Sequence, residues 1–218
     1  RKYWTASARP RLILVLTVSA FRAVVADWYH VPSGSMKPTS LECERVLVNK
    51  RAYDLKLPFT SWHLLEWAGP ERCDIAVFYS PANGRRLVKR VIGLPGDTVE
   101  MVHGRLTING QRVAYEAASQ TGAEQIPLPE RHSHIFTTER LPGQTHSMMD
   151  SPALPALRNF EAKVPAGHYC RRGENRFNSG DSRYFGPVKR GQIIGKAKAV
   201  VVSFDRERYY LPRWGRCF

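Results

Sequence analysis

The sequence predicts a mostly-β fold with one apolar helix at its N-terminus and an irregular insert, and three observations carry that prediction. Short Val- and Ile-rich stretches recur between turn residues, a single long apolar run lies near the start, and no later stretch keeps a helical period. With 218 residues there is room for one domain and a smaller insert. Hydrophobic residues at 43% and charged residues at 24% support a packed core and exclude wholesale disorder. Four cysteines are too few for a disulfide-built miniprotein, and without a CxxC pair a zinc ribbon is excluded.

Basic residues open the chain (Arg1, Lys2, Arg9, Arg11), and an apolar run follows from Leu12 to Ala26, broken once by Arg22. A bilayer-spanning helix wants about 20 apolar residues, and Pro10 to Ala26 only reaches the lower limit of about 17. Arg22 lies near enough to the end to snorkel, with Trp28 and Tyr29 as interfacial anchors. Residues 1–27 therefore read as a cytoplasmic N-terminus and a membrane anchor, with everything after Asp27 outside. A cleavable signal peptide and an interfacial or buried helix stay open as alternatives. All three readings place the rest of the chain at a membrane or beyond one.

Past the anchor, strands are expected at Arg45–Lys50, Asp74–Ser80, Arg86–Gly93, Thr98–Val102, Arg105–Gly110 and Lys196–Phe204. Turn residues punctuate them at Pro81–Gly84, Leu94–Asp97 and His103–Gly104. Residues 51–72 read as an aromatic loop or hairpin. In residues 116–166 Pro127, Pro129, Pro142, Pro152 and Pro155 interrupt a stretch poor in β-branched residues, which reads as irregular. The resulting division is a core in two parts, 28–100 and 167–218, around an inserted subdomain at 101–166.

The sharpest local feature is HVPSGSMKPTS, His30 to Ser40. Pro32 and Pro38 stiffen the turn, Gly34 permits close backbone approach, and Ser33 and Ser35 flank it. A serine hydroxyl needs a base to act as a nucleophile. No histidine stands in a recognisable triad context. A lysine can serve if burial keeps it neutral near pH 7. Lys89 is the candidate: strand alternation gives it the face of Leu87 and Val91, where apolar neighbours would strip its water. Taken alone, each feature also fits a proline-rich turn and a solvent-facing lysine.

Three segments, HVPSGSMKPT, KRVIGLPGD and RGENRFNSGDSRYFGPV (Arg172–Val188), follow a membrane-type segment in that order. Together they resemble the bacterial type I signal peptidase (leader peptidase) family of Ser/Lys serine proteases. The resemblance implies a signal-peptidase-type β-sheet catalytic core. It makes Ser35 the nucleophile, Lys89 the general base, Ser33 an oxyanion-hole donor and Ser179 the serine that orients Lys89. Arg90, Asp181 and Arg183 become supporting residues. It further implies a monomer that removes signal peptides from preproteins after small residues of the Ala-X-Ala type, single-pass in the bacterial inner membrane, with the catalytic part on the periplasmic side. Met36, Ile75, Val77 and Leu87 are the apolar candidates for the substrate pockets, and neither a metal nor an organic cofactor is implied.

Departures from the family pattern are definite. Cys43-Glu44 and Cys73-Asp74 stand where Gly-Asp is usual, Glu174 and Phe177 replace two aspartates, and Cys170 stands where an aromatic is common. Cys43 and Cys73 either pair in an oxidising compartment or are free buried thiols. The altered glycines also fit a specialised relative that processes a pilin or a conjugation protein. Finally, 33 Lys and Arg against 19 Asp and Glu give a charge of +14, which calls for an anionic partner. The basic residues are spread along the chain and no nucleic-acid reading motif is present, so acidic membrane lipids fit better than nucleic acid.

Overall fold

In the computed structural model, which describes residues 8–56, 63–117, 126–151, 159–205 and 211–212, the chain opens with helix α1 (Arg9–Val24). Its 16 residues make it roughly 24 Å long, and among the described residues no helix is long and apolar enough to cross a membrane. The expected spanning helix is corrected to this shorter one, and its last turn explains why. Arg22 Nη2 sits 2.7 Å from Asp27 Oδ1, and its guanidinium lies over the Trp28 ring. From Ala26 the backbone belongs to strand β1 (Ala26–His30), antiparallel to β2 (Arg45–Asn49), with Trp28 opposite Leu47 and Tyr29 opposite Val46. Trp28 and Tyr29, expected as interfacial anchors, are therefore strand residues. The helix still exposes Leu12, Ile13, Leu14, Val15, Leu16 and Val18, a contiguous apolar surface.

Residues 51–72 resolve toward the hairpin reading: β3 (Asp54–Lys56) pairs with β4 (His63–Glu66), while residues 57–62 lie outside the described residues. Strands β5 (Ile75–Tyr79) and β6 (Arg86–Gly93) form the central hairpin, the run of β-branched residues ending at a turn closed by Gly84 at φ +67°. Next come β7 (Thr98–Val102), β8 (Arg105–Ile108), β9 (Gln111–Arg112) and β10 (Ala114–Ala117). His103-Gly104 and Asn109-Gly110 turn the chain between them with positive φ at all four residues.

Residues 116–166 are more regular than expected. Helix α2 (Leu128–His132) leads into β11 (Ile135–Leu141) and β12 (Gln144–Asp150), which pair along their whole length. Pro142 does not interrupt a strand: it stands with Gly143, at φ +97°, in the turn between the paired ends Leu141 and Gln144. Strands β10, β11 and β12 make one small sheet, and β13 (Phe160–Lys163) joins β7, β8 and β9 in another. The chain then returns through β14 (His168–Arg172), α3 (Ser182–Phe185), β15 (Val188–Lys189) and β16 (Ile193–Val202), with β17 (Phe204–Asp205) and β18 (Leu211–Pro212) beyond.

The main sheet is antiparallel in the order β1-β2-β16-β5-β6-β14-β15. Irregularities in β16 against β2 and β5, and in β14 against β6, bend it. One core cluster gathers Val31, Met36, Val46, Val48, Ile75, Val77 and Val88 between these strands and the loop after β1. The strand ends thus carry residues 31–40 onto the centre of the sheet, beside β6.

Two sharp corners precede β2 and β5. Cys43 and Cys73 adopt φ +65° and +74°, the left-handed region that favours glycine. Each is followed by a buried carboxylate that ties the corner down: Glu44 accepts from Leu41 N and Ser203 Oγ, both at 2.8 Å, and Asp74 accepts from Tyr53 OH at 2.7 Å. The cysteine departures therefore fall where glycine relieves backbone strain. Cys43, Cys73 and Cys170 are free, which corrects the pairing reading, and Cys217 lies outside the described residues.

Candidate active site

Gly34–Met36 form one 3-10 turn, entered from extended backbone at Ser33 and left through Lys37. Lys37 N–H donates to Gly34 O at 3.1 Å and Ser40 N–H to Met36 O at 2.8 Å. Across the chain, Asn175 N–H donates to Ser35 O at 3.1 Å and its side-chain amide to Gly34 O at 3.3 Å. Gly173 makes this approach feasible: a Cβ there would lie 2.6 Å from both Ser35 O and Ser179 Cβ. The segment Gly173–Ser179 is thereby pressed onto the Ser35 turn.

Strand β6 brings Lys89 to the same place, opposite Ala76 of β5. The lysine is 1% exposed and the serine 8%, and a hydrogen bond joins Lys89 Nζ to Ser35 Oγ. Ser33 Oγ lies 3.2 Å from Ser35 Oγ. Burial lowers the Lys89 amine to about 8; Asp181 pulls it back up, Arg183 opposes Asp181, and Glu174 adds a weaker upward pull.

Both of those carboxylates are held by arginines. Arg183 Nε and Nη2 grip the two oxygens of Asp181 at 2.8 Å each, and Arg90 reaches Glu174 Oε1 with Nε at 2.8 Å and Nη2 at 2.5 Å. Ser179, expected to orient Lys89, instead donates its hydroxyl to Asp181 Oδ2 at 2.9 Å, beside Gly173 N–H at 3.1 Å. It shapes the lysine's surroundings through Asp181. An amine that is half neutral near pH 8, beside a buried hydroxyl, is equipped to take that hydroxyl's proton.

The pocket candidates separate. Met36, Ile75 and Val77 share the apolar cluster with Val31 and Val88 beneath the turn, whereas Leu87 lies outside it, partly buried and paired with Phe78. Among the described residues no group of three or more His, Cys, Asp or Glu is placed to hold a metal. Asn175 and Gly173 stand inside the sequence motif, yet their grip on the turn is not legible there. Two further pairs, Lys37–Glu130 and Arg176–Glu139, join residues 93 and 37 positions apart, with no sequence signal linking them.

Comparison with known proteins gives a single answer. The family model described as "Signal peptidase, peptidase S26" matches residues 4–202. A signal peptidase I from Pseudomonas fluorescens is 36% identical, covering 95% of this chain and 75% of that protein. One from Pseudomonas aeruginosa is 35% identical over the same shares. A signal peptidase I crystal structure from Enterococcus faecalis V583 is 35% identical, covering 58% of this chain and 95% of its own, with a TM-score of 0.36.

Proposed function

Because the chain belongs to the signal peptidase family, peptidase S26, it is a serine endopeptidase, and we propose that it removes signal peptides from exported preproteins with a Ser35/Lys89 dyad. One observation carries the assignment: a fully buried lysine bonded to a buried serine hydroxyl, with the nearest carboxylates taken by arginines.

Neutral Lys89 accepts the proton of Ser35 Oγ as that oxygen attacks the scissile carbonyl carbon. The negative charge on the carbonyl oxygen is met by Ser35 N–H and, after rotation about its Cα–Cβ bond, by the Ser33 hydroxyl. Collapse breaks the C–N bond, Lys89 returns its proton to the leaving amine, and an ester forms at Ser35. Water, deprotonated by the same amine, hydrolyses the ester and frees the enzyme. Cleavage after small residues of the Ala-X-Ala type is part of this proposal and rests on the family resemblance alone.

The exposed apolar helix α1 and the charge of +14 support association with a bilayer carrying acidic lipids. The test is to incubate the detergent-solubilised protein with a secretory precursor and sequence the new N-terminus. Cleavage after Ala-X-Ala, lost in Ser35→Ala, is expected; unchanged cleavage by Ser35→Ala contradicts the dyad. A pilin precursor run alongside distinguishes a general enzyme from a specialised one.

A further inference from the structure

Residues of the insert meet the Ser35 turn at two points. At the first, Glu130 of α2 takes Lys37 Nζ on both carboxylate oxygens, at 2.9 and 3.0 Å. Lys37 is the residue after Met36 and its side chain is only 12% exposed; Glu42 stands farther off, at 3.5 Å. Helix α2 is itself tied to the buried Ile126, whose carbonyl accepts from Arg131 Nη2 at 3.0 Å.

At the second, β12 pairs with the loop that presses on the turn. Met149 N–H donates to Glu174 O and Arg176 N–H to Met149 O, both at 2.9 Å, a parallel bridge centred on Asn175. Asn175 is the residue that holds Ser35 O and Gly34 O. Behind it lies Glu139 of β11, fully buried. Glu139 accepts from Arg176 Nη2 and from Tyr115 OH of β10, each at 2.6 Å, and faces His146 Nε2 of β12 at 3.2 Å. All three strands of this sheet thus converge on one arginine of the loop.

We propose that the sheet β10–β12 and helix α2 form a clamp that sets the Ser35 turn against Lys89, with Glu130 and Glu139 as positioning residues. The proposal rests on the Ser35/Lys89 reading above. The physical need is clear: a three-residue turn carrying a glycine does not hold its own geometry, and a displacement of about 1 Å at a reacting atom costs roughly 100-fold in rate. The clamp also keeps water from Lys89, whose charged neighbours are Asp181, Arg183 and Glu174. Loosening it should rehydrate the amine and move its titration upward.

The experiment uses the full chain in detergent on a secretory precursor, comparing Glu130→Gln, Lys37→Met and the double variant. Each single change is expected to lower kcat about tenfold with KM within about twofold and an unchanged melting temperature. The kcat midpoint should move above its starting pH, and the double variant should be no worse than either single one. Tyr115→Phe, which removes one donor from Glu139 without leaving a charge unpaired, should lower kcat about threefold in the same manner. A Glu130→Gln enzyme with unaltered kcat and midpoint, or losses that multiply in the double variant, overturns the clamp. Ser35→Ala, measured in parallel, separates the two ideas. If it is inactive while Glu130→Gln is unaffected, the clamp alone fails; if it still cleaves, the dyad and the clamp fail together.

Discussion

Lys89 and Arg90 are neighbours on one strand, and both are buried, at 1% and 4% exposure, yet they belong to opposite kinds of surroundings. Arg90 lies in a belt of arginine–carboxylate pairs: Arg90 with Glu174, Arg183 with Asp181, Arg176 with Glu139. Lys89 faces a hydroxyl and, among the described residues, has no carboxylate of its own. A buried cation without a counter-charge sheds its proton more readily, whereas one gripped on two nitrogens keeps it. The belt therefore does more than satisfy itself. By occupying each acid near the lysine, the arginines leave the amine in the state a base requires.

The largest effect comes from erasing the contrast. Lys89→Arg makes both residues permanent cations, and kcat/KM on a precursor should fall by about 10⁴ or more, because a guanidinium cannot take a proton near neutral pH. Lys89→Met should be equally inactive but more stable. The folded amine titrates near 8 against an ordinary 10.5. Below pH 8 the fold must therefore hold a disfavoured charge, a cost on the order of 3 kcal/mol that fades between pH 8 and 10.5 and is gone above. Denaturant unfolding at pH 7 should show the gain for Lys89→Met, and it should vanish near pH 11.

Uncovering one acid sharpens the same contrast. Arg183→Met strips Asp181 of its partner beside Lys89, so the amine should be pulled upward. Activity at pH 8 should drop about 10 to 100-fold, with partial recovery as pH rises, and stability should fall by roughly 3–5 kcal/mol because a buried charge loses its partner. A drop with no pH recovery would mean that Arg183 acts on structure alone.

Smallest is the change at the corners. Cys43→Gly relieves a positive φ at a half-buried site and should stabilise by about 0.5–1 kcal/mol without moving the activity profile. Cys73→Gly should bring no gain, since its side chain is 5% exposed within a core cluster and its packing would be lost. Thermal melts of the two variants distinguish strain from burial.

Much of this was legible in the sequence, for identifiable reasons. The strand residues Arg86–Gly93 and Thr98–Val102 form as expected because β-branched alternation and the intervening turn residues agree with each other. Ser35 and Lys89 meet as their motifs suggest. The length of α1 was not legible, because the competing pull of β1 on Ala26–His30 comes from pairing with β2, which leaves no local mark. Nor was the regularity of β11 and β12, where Pro142 reads as a breaker until its place in the turn is known. Ser179 was recognisable as part of the site, but its hydrogen bond to Asp181 rather than Lys89 depends on where Gly173 lets the chain pass.

The most direct test follows the amine itself. Lysines labelled with ¹³C at Cε, in the Ser35→Ala enzyme and in the unmodified enzyme, can be titrated by NMR, with Lys89→Met assigning the signal. The signal that disappears in Lys89→Met should titrate near pH 8. If that signal titrates above pH 10, the amine at position 89 is charged at working pH and the account is contradicted.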